Sequence, residues 1–162
     1  VAIAHPTTLH REQGPVRDYV HRFSHYVNLL ETPHPNGGQF QTFGLPPWTH
    51  LLVWPDGRIA LLEFLPLQAR QCTMQLRLFA TSGTVDDIEA EAWLVHLLSF
   101  LDEDKALVES AQRGYVDNFE PGPAHQLEQR ILHWQSLYSD QLSAAGMVRL
   151  ERSQDAISAL MA

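Results

Sequence analysis

The sequence has little cysteine, little positive charge and no long apolar segment, and each shortage excludes a class of protein. Cys72 is the single cysteine among 162 residues, which excludes an internal disulfide framework and any metal cluster held by cysteines alone. Asp and Glu outnumber Lys and Arg by 19 to 11, and the net charge of −8 argues against a nucleic-acid-binding protein. No apolar run reaches the length of a membrane span, so we expect a cytoplasmic protein that contacts no membrane.

The apolar residues that are present suffice for one folded domain. Hydrophobic residues make up 44% of the chain, with seven Phe, four Trp and four Tyr, which argues against disorder. The chain also contains nine histidines and begins at Val1 without a methionine. Its first five residues resemble the interior of a secondary-structure element and not its start. We therefore expect a fragment or processed product of a longer protein.

Short apolar segments bounded by Pro and Gly predict an antiparallel sheet in the first half of the chain. Part of the segment 16–30 alternates as a strand does, and further strands are expected at 39–44, 49–54, 58–65 and 72–81. Turns are expected at 33–38, which contains Asn36-Gly37, and at Pro55-Asp56-Gly57. Four or five consecutive strands with short connections favour an antiparallel arrangement.

Helical patterns fill the second half of the chain. Thr84, followed three residues later by Asp87, resembles a helix-capping box. A helix is expected over 85–101, interrupted at 102–104 and resumed over 105–115, and a last helix over 124–142, which Gly146 should end. Residues 1–145 are therefore predicted to form an α+β domain of the helix-grip (START/Bet v 1-like) type, with an antiparallel sheet packed against a long C-terminal helix. A cavity between the layers would suit a small apolar ligand, and residues 146–162 form a tail.

Asp104 is the most informative single residue if the helix is continuous around it. At 100° per residue, six apolar positions fall within about 60° of Asp104, which places its carboxylate in the middle of an apolar face. These positions are Leu97, Phe100, Leu101, Leu107, Val108 and Ala111. A buried carboxylate requires a cation, a metal or strong donors. Alternatively, a new helix starts at Asp102 and its acidic first turn merely favours the helix dipole.

Histidine pairs are the other candidate metal ligands. His5 and His10 are five residues apart, and two imidazoles with one carboxylate form the facial triad of mononuclear non-haem iron. With nine histidines in the chain, such a pair also arises by chance. His21 and His25 would share a metal on a helix, but on the strand that we favour they are too far apart. His50 borders a turn, and His133 lies on a helix as a surface or packing residue.

Two segments carry a family resemblance. Glu103-Asp104 is followed by Gln112 and Gly114, and then by Gly122-Pro123 and Glu128, while Val1 to Pro6 ends in His5-Pro6. These motifs resemble those of the catalytic domain of Rieske-type aromatic-ring-hydroxylating oxygenase α subunits over about residues 1–142. The resemblance implies that His5 and Asp104 bind the iron. The other histidine ligand would then precede Val1, and His10 would be a bystander.

The resemblance implies an oxidoreductase, a mono- or dioxygenase with one mononuclear Fe(II), that hydroxylates an aromatic or quaternary ammonium compound. Electrons would come from NAD(P)H through a reductase or ferredoxin, and family members are commonly homotrimers in the catabolism of aromatic compounds. The family's Rieske domain binds a [2Fe–2S] cluster with two Cys and two His. One cysteine cannot build it, so we expect that domain to be absent from this chain and the fragment alone to be inactive.

Two alternatives to the oxygenase stay open. The first is a non-enzymatic helix-grip domain that binds a lipid or other apolar ligand, in which Asp104 is only a helix-start acid. The second is a zinc hydrolase that uses His5, His10 and Asp104. An upstream reading frame that ends in Tyr-His and contains a C-x-H and C-x-x-H pair would favour the oxygenase.

Overall fold

A computed structural model of the protein describes residues 16–81, 83, 85–116 and 128–147. After a short 3₁₀ turn at Val16–Asp18, six strands are followed by two helices. The strands are β1 (Val20–Phe23), β2 (Asn28–Pro33), β3 (Gln39–Leu45), β4 (Thr49–Val53), β5 (Ile59–Gln68) and β6 (Gln71–Phe79), and the helices are α1 (Asp87–Val116) and α2 (Gln129–Ala144). Each strand pairs antiparallel with the next, which gives one open sheet in chain order. The predicted α+β class is confirmed, and the arrangement is helix-grip-like.

The predicted turns are the connections that hold the central strands in order. Between β2 and β3, the backbone N–H of His34 donates to the carbonyl of Gly38 at 3.1 Å. Between β4 and β5, the N–H of Trp54 donates to the carbonyl of Arg58 at 2.9 Å, and the Asp56 carboxylate accepts the N–H of Arg58 at 3.1 Å. Because these connections are short, consecutive strands can only lie side by side and antiparallel.

One face of the sheet, here called the inner face, packs against α1 and forms the core. The strand register aligns Leu52 with Ala60 on this face, and side chains of α1 cover them. The Trp54 ring meets the Trp93 ring edge to face, with 5.4 Å between their centroids. The buried cluster consists of Phe40, Leu52, Trp54, Ala60, Leu62, Trp93, Leu97 and Phe100. Its helical members are spaced by four and three residues, the period of a single helix face.

A capping box starts α1, at a different position from the predicted one. The Glu89 N–H donates to the Asp86 carboxylate at 2.8 Å, and the Asp86 N–H donates to the Glu89 carboxylate at 3.3 Å. Thr84, the expected cap, lies outside the described residues. The predicted pairing of Thr84 with Asp87 was wrong because Asp86 and Glu89 have the same spacing, and the longer Glu89 side chain reaches back to the cap N–H.

The helix α1 runs unbroken for 30 residues, so the predicted interruption at 102–104 was wrong. The acidic residues lie among strong helix formers, and their propensity cost is a few tenths of a kcal/mol each, roughly, which the rest of the helix offsets. Asp102 therefore does not start a new helix. Asp104 occupies the interior of a long one.

The last helix, α2, ends as predicted. Gly146 adopts a positive φ of 71°, and the N–H groups of Gly146 and Met147 donate to the carbonyls of Ser143 and Leu142. Glycine suits this left-handed cap because it has no Cβ. The expected first turn at 124–127 lies outside the described residues. Within the described part of the chain, neither helix has the combination of length and apolar character that crossing a membrane requires.

Candidate functional site

Of the two predicted iron ligands, His5 and Asp104, the structure describes Asp104 alone. His5 and His10 lie outside the described residues. Asp104 is partly buried, whereas Asp102, two residues earlier on the same helix, is exposed. Asp104 follows Phe100 by four residues and so continues the ridge of α1 that packs on the sheet.

The apolar face expected around Asp104 is buried on one side of it only. Leu97 and Phe100 are buried, but Leu107 and Val108 are 48% and 65% exposed. Asp104 was expected in the middle of an apolar face, and that face is buried at Leu97 and Phe100 but exposed at Leu107 and Val108. Asp104 lies on α1 between the buried Phe100 and the exposed Leu107. Within the described residues, no three His, Cys, Asp or Glu side chains are grouped to hold a metal.

The pair His21 and His25 does not share a helix face. His21 lies within β1, and His25 lies in the exposed connection after it, with its ring against Tyr26 at 4.1 Å between centroids. The strand interpretation of this segment is confirmed. His21 instead faces the same side of the sheet as Leu30, its partner in the register.

A polar cluster occupies the inner face where α2 packs against the sheet. Asn28, the first residue of β2, is fully buried, and its side-chain oxygen accepts a 2.7 Å hydrogen bond from Nε of Arg130. The Nη2 group of Arg130 donates to the backbone carbonyl of Thr42 at 3.3 Å. The guanidinium is therefore held over the middle strands. We call Arg130, Asn28, His133, His50 and His21 the Arg130 cluster.

Asn28 also forms a hydrogen bond with His133, a second residue of α2. Nε2 of His133 lies 2.9 Å from the carbonyl oxygen of Ser24, which can only accept, so Nε2 carries the hydrogen. Nδ1 of His133 is then the acceptor, 3.4 Å from the amide nitrogen of Asn28. The amide of Asn28 thus uses its oxygen for Arg130 and its nitrogen for His133, which joins the helix to the sheet at one buried point.

The position of Asn28 depends on Gly44, its register partner on β3. A Cβ atom added to Gly44 would lie 2.5 Å from the side-chain oxygen of Asn28. Glycine within a strand commonly marks such a close approach. Gly44 therefore makes the room in which the amide of Asn28 lies flat against the sheet.

Two histidines face the same region from the sheet. The ring of His50, on β4, lies between the rings of Trp134 and Phe64, at centroid distances of 5.2 and 5.9 Å. Burial lowers the pKa of His50 to about 4, and the positive charge of Arg130 adds to this effect. Burial and Arg130 lower the pKa of His21 as well. His50 is therefore neutral at pH 7 and adds no second positive charge.

Arg130 is a desolvated cation with unused donors. Burial lowers its pKa to about 10, so the guanidinium stays charged at neutral pH. Among residues 16–81, 85–116 and 128–147, no carboxylate forms an ion pair with it. Asn28 and Thr42 accept two of its five N–H groups. The three remaining N–H groups have no hydrogen-bond acceptor among the described residues.

A groove of about 670 Å³ lies elsewhere, between the β4–β5 turn and the first half of α1. Arg58 borders it and is already paired with Asp56, at 2.8 Å, and its guanidinium carbon lies 5.3 Å from the centroid of the Trp93 ring. The groove is open to solvent and is lined by Asp56, Arg58, Val85, Glu89, Ala92, Trp93 and His96. It includes neither Asp104 nor Arg130.

Comparison with known proteins adds no family to this geometry. No family model matches the chain, and neither the curated proteins nor the solved structures contain a match.

Proposed function

We propose that this chain is the catalytic domain of a cytoplasmic Rieske-type mononuclear iron oxygenase. It would hydroxylate a small organic substrate with O₂ and with NAD(P)H-derived electrons that a reductase or ferredoxin delivers. The observation that carries the proposal is the unbroken course of α1 through Asp104. Asp104 is not in a first helical turn, so the alternative in which it is only a helix-start acid does not apply.

The chemistry of the donor set fits iron. A carboxylate together with imidazoles is the ligand set of non-haem Fe(II) oxygenases, and it leaves positions open for O₂ and substrate. Asp104 and His5 are the residues of this chain that would hold the iron. When bound, the iron would supply the activation of O₂.

The other side chains of the domain have supporting roles in this proposal. The rings of Trp134 and Phe64 flank His50 on the inner face and provide an apolar wall for the body of a substrate. Such walls exclude water from the site and orient the bond to be hydroxylated. Arg130 and Asn28 provide the polar contacts at the same face.

The test compares two carboxylates of one helix in the protein expressed from its complete gene. We expect about one iron per chain in the wild type and in Asp102→Asn, whose side chain is exposed. Asp104→Asn should lose most of its iron because a neutral amide is a much poorer ligand than a carboxylate. Metal analysis by mass spectrometry gives the iron content, and circular dichroism checks that both variants fold. Full iron occupancy in Asp104→Asn would refute the assignment of Asp104.

A ligand-binding domain without metal is the second candidate. It is favoured by the Arg130 cluster, whose contacts to Asn28 and Thr42 involve no metal ligand predicted from the sequence. A complete protein that contains no iron but binds an organic ligand stoichiometrically would support this alternative. Iron that depends on Asp104 would exclude it.

A further inference from the structure

We infer that the inner face of the sheet contains a carboxylate-binding site in which Arg130 binds the anion, and that its ligand is a small monocarboxylic acid with an aromatic or otherwise apolar body. As a binding site, this stands on the geometry of the Arg130 cluster alone. As the identity of an oxygenase substrate, it rests on the proposed function.

Arg130 has three N–H groups that no described residue accepts. Its Nε and Nη2 groups donate to Asn28 and Thr42 at 2.7 and 3.3 Å, which fixes the plane of the guanidinium. The remaining N–H groups are two on Nη1 and one on Nη2. These two nitrogens form one edge of the guanidinium, the edge that binds a carboxylate through two parallel hydrogen bonds.

Three arginines in and next to the sheet differ from Arg130, which lies on α2, because they are paired. They pair with a carboxylate at 2.6 to 2.8 Å, namely Arg22 with Glu31, Arg58 with Asp56 and Arg77 with Glu63. In the described part of the chain, no acidic residue forms an ion pair with Arg130. Its described hydrogen-bond partners are a neutral amide and a backbone carbonyl. A desolvated cation in such surroundings is stabilised when an external carboxylate supplies the missing charge.

The single positive charge of the Arg130 cluster and the rings around His50 indicate the charge and shape of the ligand. Burial and Arg130 keep His50 neutral at pH 7, so the cluster offers one positive charge and matches one carboxylate rather than two. His50 lies close enough to Arg130 to be affected by its charge, and the rings of Phe64 and Trp134 flank His50. An aromatic or aliphatic body of the ligand would pack against these rings while its carboxylate meets Arg130.

A purely structural role for Arg130 makes a different prediction. If Arg130 only joins α2 to Asn28, any side chain that keeps the hydrogen bond serves equally well, and the protein does not distinguish an acid from its amide. We therefore use benzoate and benzamide as probes, since they share a ring and differ mainly in charge. Titrations are performed without O₂ or reductant, so that no turnover occurs, and are followed by calorimetry and by tryptophan fluorescence.

We expect the wild-type protein from the complete gene to bind benzoate saturably and benzamide at least about tenfold more weakly. Arg130→Gln should lower the affinity for benzoate by a similar factor and abolish the preference. Arg58→Gln is the matched control, because Arg58 is already paired with Asp56, and it should bind benzoate as the wild type does. Unchanged benzoate affinity in Arg130→Gln, or equal binding of both probes by the wild type, would overturn the inference.

A second measurement does not depend on the folding of a variant. In ¹H–¹⁵N spectra of the wild type, benzoate should shift the Nε–Hε signal of Arg130, whereas benzamide should leave it in place. No shift with saturating benzoate overturns the inference. Iron analysis separates the two proposals: benzoate binding without iron supports the carboxylate site and refutes the oxygenase, and iron without benzoate binding does the reverse.

Discussion

Mild acid should weaken the fold mainly through one partly buried ring, that of His50. In the native protein the pKa of His50 is lowered to about 4, first by burial and then by the charge of Arg130. In the unfolded chain the ring returns to its ordinary pKa of about 6.5. Between these two values the unfolded chain binds a proton that the native protein does not, so the free energy of unfolding falls as the pH falls.

The size of the effect follows from the two pKa values. Each pKa unit corresponds to about 1.4 kcal/mol, so His50 should account for a loss of about 2 kcal/mol between pH 7 and pH 5 and about 3 kcal/mol by pH 4. Above pH 7 the ring is neutral in both states and contributes no pH dependence. A domain of this size is stable by about 5 to 15 kcal/mol, so the loss is a large fraction of the total.

Urea unfolding at several pH values between 7.5 and 5, followed by tryptophan fluorescence, measures this loss. His50→Gln removes the titrating ring and should flatten the pH dependence by about 2 kcal/mol over that range. His25→Gln is the matched control, because His25 is exposed, and it should keep the wild-type dependence. The difference between the variants cancels the carboxylates and the other histidines, among them His21, whose pKa is also lowered.

Two outcomes would refute the reasoning. If His50→Gln shows the same pH dependence as the wild type, His50 is not desolvated beside Arg130. If the wild type becomes more stable between pH 7 and pH 5, the native protein binds protons that the unfolded chain does not, which is the opposite sign of linkage.

Two substitutions test the local geometry by urea unfolding at pH 7. Gly44→Ala should destabilise the fold by about 1 to 3 kcal/mol, because its Cβ would lie 2.5 Å from the side-chain oxygen of Asn28; an unchanged midpoint would show that Asn28 moves aside freely. Asp86→Ala should cost about 1 kcal/mol through the lost cap of α1, whereas Glu91→Ala, exposed within the same helix, should cost little. Equal effects of Asp86→Ala and Glu91→Ala would contradict the capping box.

The sequence was sufficient to predict consecutive antiparallel strands, four or five of them where the structure has six, because turn chemistry is local. The residues Asn36-Gly37 and Pro55-Asp56-Gly57 favour hairpin turns independently of long-range contacts. Because the connections are short, the neighbouring strands must then lie side by side. The end of α2 at Gly146 was predicted correctly because a glycine cap also depends only on neighbouring residues. This locality also explains the error at the start of α1, since two capping boxes of equal spacing overlap there and sequence alone does not rank them.

The sequence could not show which face of the sheet is the core. Leu51 is followed by Leu52 and Leu61 by Leu62, so both faces of β4 and β5 present leucine at adjacent positions. In the structure Leu52 and Leu62 are buried under the helices, while Leu51 and Leu61 are only partly buried. The choice is made by where α1 lies, which is a long-range contact that no period-two pattern contains.

The Arg130 cluster was missed for a related reason. Asn28, His50 and Arg130 come from β2, β4 and α2, and no spacing in the sequence links them. The one local signal was Gly44, because a glycine inside an otherwise apolar strand indicates a close approach by another group. Sequence reasoning instead favoured His5 and Asp104, because His5 belongs to a recognisable motif and helix periodicity singles out Asp104.

The two helices use the inner face differently, and this division bears on where a ligand should bind. Under α1 the sheet presents Phe40, Leu52 and Ala60, which form a closely packed apolar core. Under α2 it presents Asn28 and His50, together with a cation that lacks an anionic partner among the described residues. Desolvated polar groups weaken a fold unless something else retains them, and departures from the most stable arrangement are expected at functional sites. A ligand that neutralises Arg130 should therefore raise the free energy of unfolding, and a rise in the urea midpoint with benzoate that is absent in Arg130→Gln would link stability and binding at the same residue.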